Sequence, residues 1–148
     1  MGIDAVKGVA VAITLTVVLA IPGTALASAF FKGPVNGGAN NAGVEFRAKF
    51  RHDEPKKVLE FRWFNVPVPP SCTDSFEGLR FEMKVNNRSK FHGKYSVPHT
   101  DHVATVDGKF KHHGKKAVGT LALKGSFAGG CASTSTGTLD WTAKKSGT

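Results

Sequence analysis

Six histidines, two cysteines and a dense group of lysines are the residues whose types and spacing admit chemistry in this chain. His99-Thr100-Asp101-His102 places two imidazoles and a carboxylate within one short segment, directly after Pro98. Such donors bind zinc or copper. In an extended segment His99 and Asp101 share a face while His102 points away, so a turn is needed to bring the three together. The competing reading is a set of solvated turn residues, because structural zinc sites show tighter Cys/His spacing.

The second constellation is basic. Lys109, Lys111, His112, His113, Lys115 and Lys116 crowd around one turn, and Lys90, His92 and Lys94 form a similar set on a neighbouring segment. A compact cationic tip can grip sulfate, carboxylate or phosphate groups. Below about pH 6 the histidines would add charge. Against this stands the common use of lysine to keep a hairpin edge soluble.

Other chemistry has little to stand on. Glycoside hydrolysis needs two facing carboxylates, but Glu45, Glu60 and Glu82 sit beside cations on charged strand faces and are expected to form cross-strand ion pairs. There is no G-x-S-x-G elbow, P-loop or H-E-x-x-H motif. No cofactor is expected. Specific nucleic-acid binding is not expected either, since the aromatics that interleave with lysine, Phe91 and Tyr95, belong to a pattern whose aromatics fall on the inward parity, whereas single-strand binders expose theirs.

The amino-terminal stretch reads as an export signal. Lys7 precedes an uncharged apolar run over residues 9–21, then Pro22-Gly23 and the small-residue site Ala25-Leu26-Ala27, with Ala27-Ser28-Ala29 as a second possible site. The run is shorter than the roughly 20 residues of a spanning helix, and no second apolar run follows. Cleavage after Ala27 would remove Lys7 together with Asp4, so the net charge of +9 would stay on a shorter chain. That balance favours acidic polymers as partners. Export also places Cys72 and Cys131 in an oxidising compartment, where a single pairing is possible. It would close a loop of about 60 residues, worth roughly 4 kcal/mol in a chain-entropy account.

The elements that must position these groups are strands. Residues 28–43 read as a flexible Gly/Asn-rich lead-in, with Phe30 and Phe31 as a short edge strand. From there Val44, Phe46, Ala48 and Phe50 alternate with Glu45, Arg47, Lys49 and Arg51, as in a half-buried strand. Leu59, Phe61 and Trp63 give the apolar face of the next strand, over 58–66, and the prolines of 67–70 end it. Strands follow over 79–85 and 90–97. A long hairpin comes next, with Ala104, Val106, Gly108 and Phe110 facing Ala117, Gly119, Leu121, Leu123, Gly125 and Phe127. Residues 136–143 form the last strand. No helical period of useful length occurs past the signal. The expected architecture is a single antiparallel β-sandwich of about seven to eight strands with one disulfide over residues 44–148. A closed β-barrel is the alternative.

Residues 106–143 resemble small secreted all-β domains of high-GC Gram-positive bacteria. The likeness rests on Val106-Asp107-Gly108-Lys109-Phe110, Ala117-Val118-Gly119-Thr120-Leu121, Cys131 and Gly137-Thr138-Leu139-Asp140-Trp141-Thr142-Ala143. It implies export, strands and the cysteine pairing, and brings no catalytic or binding residue with it.

Together these readings favour a secreted, non-enzymatic binding module for acidic polysaccharide or another cell-envelope polyanion. The alternatives are a metal-binding protein or enzyme using His99, Asp101 and His102, and a structural or protein-interaction domain.

Overall fold

The computed structural model describes residues 26–68, 72–76, 82–96, 98–99, 101–125 and 134–148. Its strands are β1 (Ala27–Pro34), β2 (Gly43–Arg51), β3 (Glu54–Val68), β4 (Cys72–Phe76), β5 (Met83–Lys84), β6 (Lys90–Ser96), β7 (Val103–Lys111), β8 (Lys116–Gly125), β9 (Thr134–Ser135) and β10 (Leu139–Gly147). The only helical element among the described residues is a 3₁₀ turn, Asn36–Asn41. The fold is all-β and antiparallel, as the alternation requires.

Hydrogen bonding runs β4-β3-β2-β1-β10-β8-β7-β6. At the far side β5 pairs with β3, and Val85, just past β5, bridges to Phe91 of β6. The Val85 amide donates to the Lys56 carbonyl at 2.9 Å, and the Asn86 amide to the Lys90 carbonyl at 2.9 Å. The sheet therefore curls back on itself and is nearly closed, like a barrel. The export signal expected over residues 1–27 lies outside the described residues up to residue 25, and so does Cys131. The disulfide expected between Cys72 and Cys131 falls there too, although the backbone of Cys72 opens β4.

The inward parity carries the core. Phe31, Phe46, Phe50, Phe61, Phe91, Phe110, Trp63 and Trp141 are all buried, with Val58, Val66, Val106, Leu121 and Leu123 around them. Phe46 sits at the centre of the ring network, stacked on Phe31 at 5.0 Å and Phe61 at 5.4 Å and edge-on to Trp141 at 5.9 Å. Burying each such side chain contributes about 1.5–3 kcal/mol. Among the described residues no polar or charged residue is buried. The interior is filled with aromatic rings, so chemistry belongs to the outer face and the ends.

Three local features depart from the sequence reading. The expected flexible lead-in over 28–43 is instead β1 plus the 3₁₀ turn. Ala29 and Phe31 are buried, and β1 pairs with β2 on one side and β10 on the other. Its four inward and outward alternations are short, and the Gly/Asn composition beyond it masks them.

β3 does not keep one parity. Val58, not Leu59, is buried ahead of Phe61 and Trp63. Glu60 adopts φ 52°, and the pairing with β2 shifts at this point. The extra residue of a bulge moves the following side chains to the other face. A second positive φ, 52° at Asn65, accompanies the next shift and buries Val66.

β3 also runs through Pro55 and extends past Pro67, one of the prolines expected to end the strand. Pro55 aligns with Phe50 beside a register shift, and Pro67 aligns with Thr73. The β2–β3 turn is thereby reduced to His52-Asp53, at φ 49° and 62°. Two successive positive φ values define the tight hairpin turn that suits strand twist.

Candidate functional site: a lysine-rich outer face

The pairings sort the candidates into two ends. The turns β2–β3, β5–β6 and β7–β8 lie at one end, together with the start of β1 and the end of β10. The segment carrying His99, Asp101 and His102 precedes β7 and lies at the other.

The basic tip is the β7–β8 turn. Lys111 and Lys116 are its last paired residues. His112, His113 and Gly114 follow one another at φ 51°, 53° and 76°, a conformation histidine tolerates better than most residues. The turn does not project. Gly114 is buried, and a Cβ there would sit 2.6 Å from the Phe50 ring. The Lys145 amide donates to the Lys115 carbonyl at 3.0 Å, and the Lys145 ammonium stands 5.9 Å from the Phe50 ring centre. The tip is thus folded over one end of the nearly closed sheet, with Lys111, His112, His113 and Lys115 exposed at its rim.

Away from the tip, the outward positions of neighbouring strands line up in transverse rows. Lys109 stands opposite Lys90, as the sequence grouping suggested. Lys111 stands opposite Lys116, Lys116 opposite Lys144, and Lys144 opposite Lys32. Lys32 and Lys144 are additions the sequence reading missed. It treated the first as part of an arm and ended the last strand at residue 143. Only the β1–β10 pairing, which joins the two extremes of the fold, brings them together.

Beside these rows the outer face dips into a groove of about 610 Å³, bordered by Lys84, Lys90, His92, Asp107 and Lys109 and floored by Thr120. Behind it Gly108 and Gly119 pair directly on the inward parity. A Cβ on Gly119 would collide with the Asp107 carbonyl oxygen, and one on Gly108 with the Phe91 ring. The two strands therefore approach more closely than side chains would permit. The groove's single carboxylate, Asp107, meets Nδ1 of His92 at 2.7 Å.

The carboxylates expected in cross-strand ion pairs are found in them. Glu45 pairs with Arg62, Glu60 with Arg47 at 3.6 Å, and Glu82 with Lys57 at 2.6 Å. The Lys57 ammonium, hydrogen-bonded to Glu82, lowers that carboxyl below its ordinary value, and Lys56 acts likewise on Glu54. All of these pairs lie on β2, β3 and the segment beside β5.

At the opposite end His99 is exposed at φ 60°, Asp101 is exposed, and the half-buried His102 packs against Gly125. Among the described residues, no three His, Cys, Asp or Glu side chains gather closely enough to hold a metal ion. Among the same residues, no helix is long and apolar enough to cross a membrane.

Comparison with protein-family models, with curated proteins and with solved structures gives no match. The functional reading therefore rests on the site's own geometry.

Proposed function

We propose that the protein is an exported, non-enzymatic binding module that engages acidic polysaccharide or another polyanion through the basic face around the β7–β8 hairpin. The observation that carries this reading is the exposed lysine set at the hairpin rim. Lys109, Lys111 and Lys115 are exposed. Among the described residues, no carboxylate pairs with them or with Lys116. A cationic surface without internal counter-charges attracts an external polyanion, and the attraction weakens as salt rises.

In the same reading the sheet closes fully as a barrel, supported by the contacts from β3 through Val85 to β6. Cys72 and Cys131 pair, and the export signal is cut after Ala27. The choice of Ala27 over Ala29 has a packing reason. Ala29 is 2% exposed and aligns with Ala48, so a cut after it would take a core residue from β1.

The test is retention of the purified protein on acidic and neutral polysaccharide matrices across a salt gradient. Retention on the acidic matrices alone, lost as salt rises and lost in a Lys109→Gln, Lys111→Gln, Lys115→Gln, Lys116→Gln variant that still folds, is the expected result. Undiminished retention of that variant would remove the hairpin from the site.

A further inference from the structure

We infer that Lys111, Lys116, Lys144 and Lys32 form a track for a linear acidic polysaccharide lying across the strands. This rests on the polyanion-binding reading and specifies its ligand and direction. The four residues occupy directly opposed positions on β7, β8, β10 and β1. Adjacent strands lie about 4.8 Å apart, so the row presents a cation at each step over about 14 Å. Like charges directly opposite one another destabilise a sheet. Where lysines meet elsewhere, as Lys49, Lys57 and Lys84 do across β2, β3 and β5, Glu82 engages the middle one, and Glu45 pairs with Arg62. From Lys32 to Lys111 the same transverse row is lysine alone.

Among the described residues no carboxylate forms an ion pair with these four lysines. Lys32 stands opposite Glu45, but Arg62 already engages that carboxylate, and the Lys32 ammonium stands 5.7 Å from the Phe64 ring centre. The carboxylates on β7 and β10, Asp107 and Asp140, are four residues along their strands from Lys111 and Lys144. That is about 14 Å, beyond the roughly 8 Å reach of charge at physiological salt.

The ligand that matches is a chain with one acidic group per unit, each unit about as long as the strand spacing. A polyuronic or sulfated polysaccharide has this form. The row offers little platform for bases, because Phe110 and Trp141 of these strands are buried and the exposed Phe30 ring of β1 carries the Arg47 guanidinium 4.8 Å from its centre. Lys90 and Lys109 form a second, shorter row beside the groove and extend the track on one side.

The experiment compares the purified protein with two charge-matched variants, Lys32→Gln with Lys144→Gln on the track and Lys49→Gln with Arg51→Gln on β2. The probes are oligogalacturonides of increasing length and a single-stranded oligonucleotide of equal charge. The expected result is about a tenfold loss of oligogalacturonide affinity at low salt for the track variant. Its slope of log affinity against log salt should also be shallower by about one to two, for the two cations removed. The β2 variant should stay within twofold of wild type, and affinity should climb with oligomer length until the row is spanned. Equal losses in the two variants would reduce the track to net charge and overturn it, leaving the polyanion reading intact. Stronger binding of the oligonucleotide would overturn the choice of polysaccharide. Failure of the unmodified protein to bind either probe would overturn both readings together.

Discussion

The outer surfaces of β2–β3 and of β7–β8–β10 are built on the same strands-and-turns chemistry, yet they treat charge in opposite ways. On β2 and β3, carboxylates and cations pair across the ladder, Glu45 with Arg62 and Glu60 with Arg47, and along β3, Glu54 with Lys56, while Lys57, which faces Lys49 and Lys84, is engaged by Glu82. On β7, β8 and β10 lysine faces lysine, and the one ion pair among the described residues there, His92 with Asp107, sits at the groove. On the first surface each outward glutamate has its cation. On the second, Lys111, Lys116 and Lys144 have no carboxylate partner among the described residues. Surface pairs are individually worth little, so the difference is better read as a difference in purpose than in stability.

The core belongs to both surfaces, and the largest expected effect comes from breaking it. Phe46→Ala removes the ring that touches Phe31, Phe61 and Trp141. It should cost about 3–5 kcal/mol in urea unfolding, with both faces lost in one transition. Two separated transitions would mean that the faces are independent units and that their contrast does not arise within one sheet.

Next in size is the opposite response of the two faces to charge removal. Lys144→Gln relieves repulsion from Lys32 and Lys116 and should stabilise the protein by about 0.2–1 kcal/mol at low salt. The gain should vanish as salt screens the row. Glu45→Gln abolishes the pair with Arg62 and should destabilise by a similar small amount, about 0.2–1 kcal/mol. Thermal unfolding of both variants at low and high salt checks the signs. Destabilisation by Lys144→Gln at low salt would show that the lysine row already has an internal partner.

How much of this was legible in the sequence follows from what each signal depends on. Alternation identified β2, β7 and β8 and their buried residues, because an unbroken period of two reports a face directly. It failed in β3, where the positive φ at Glu60 inserts a bulge and exchanges Leu59 for Val58. Nothing in the residue types marks that position, since glutamate rarely adopts this backbone. The hairpin lysines were visible as a local run, and so was the grouping with Lys90. Lys32 and Lys144 were not, because their meeting depends on the β1–β10 pairing between the two ends of the fold. The ion pairs of Glu45, Glu60 and Glu82 were anticipated from charge alternation alone, which a local pattern can carry. Where the site is a row across strands, its members are far apart in sequence by construction, and only topology assembles them.

The smallest effect is also the one that separates the faces by pH. Glu82 and Glu54 hold their protons less tightly in the folded protein than in the unfolded chain, because Lys57 and Lys56 hydrogen-bond to their carboxylates. Each folded value lies below the ordinary 4.5. The stability these groups contribute is therefore fully present above that ordinary value and is lost as pH falls through the lowered ones. Lys57→Gln removes the partner of Glu82 and should flatten the acid side of the stability profile. Lys144→Gln touches no carboxylate and should shift the profile without changing its acid slope. Urea midpoints measured from neutral pH down to about pH 3 distinguish the two. If Lys144→Gln flattened the acid side as well, a carboxylate would have to stand within reach of Lys144 itself. The two faces would then differ in degree rather than in kind.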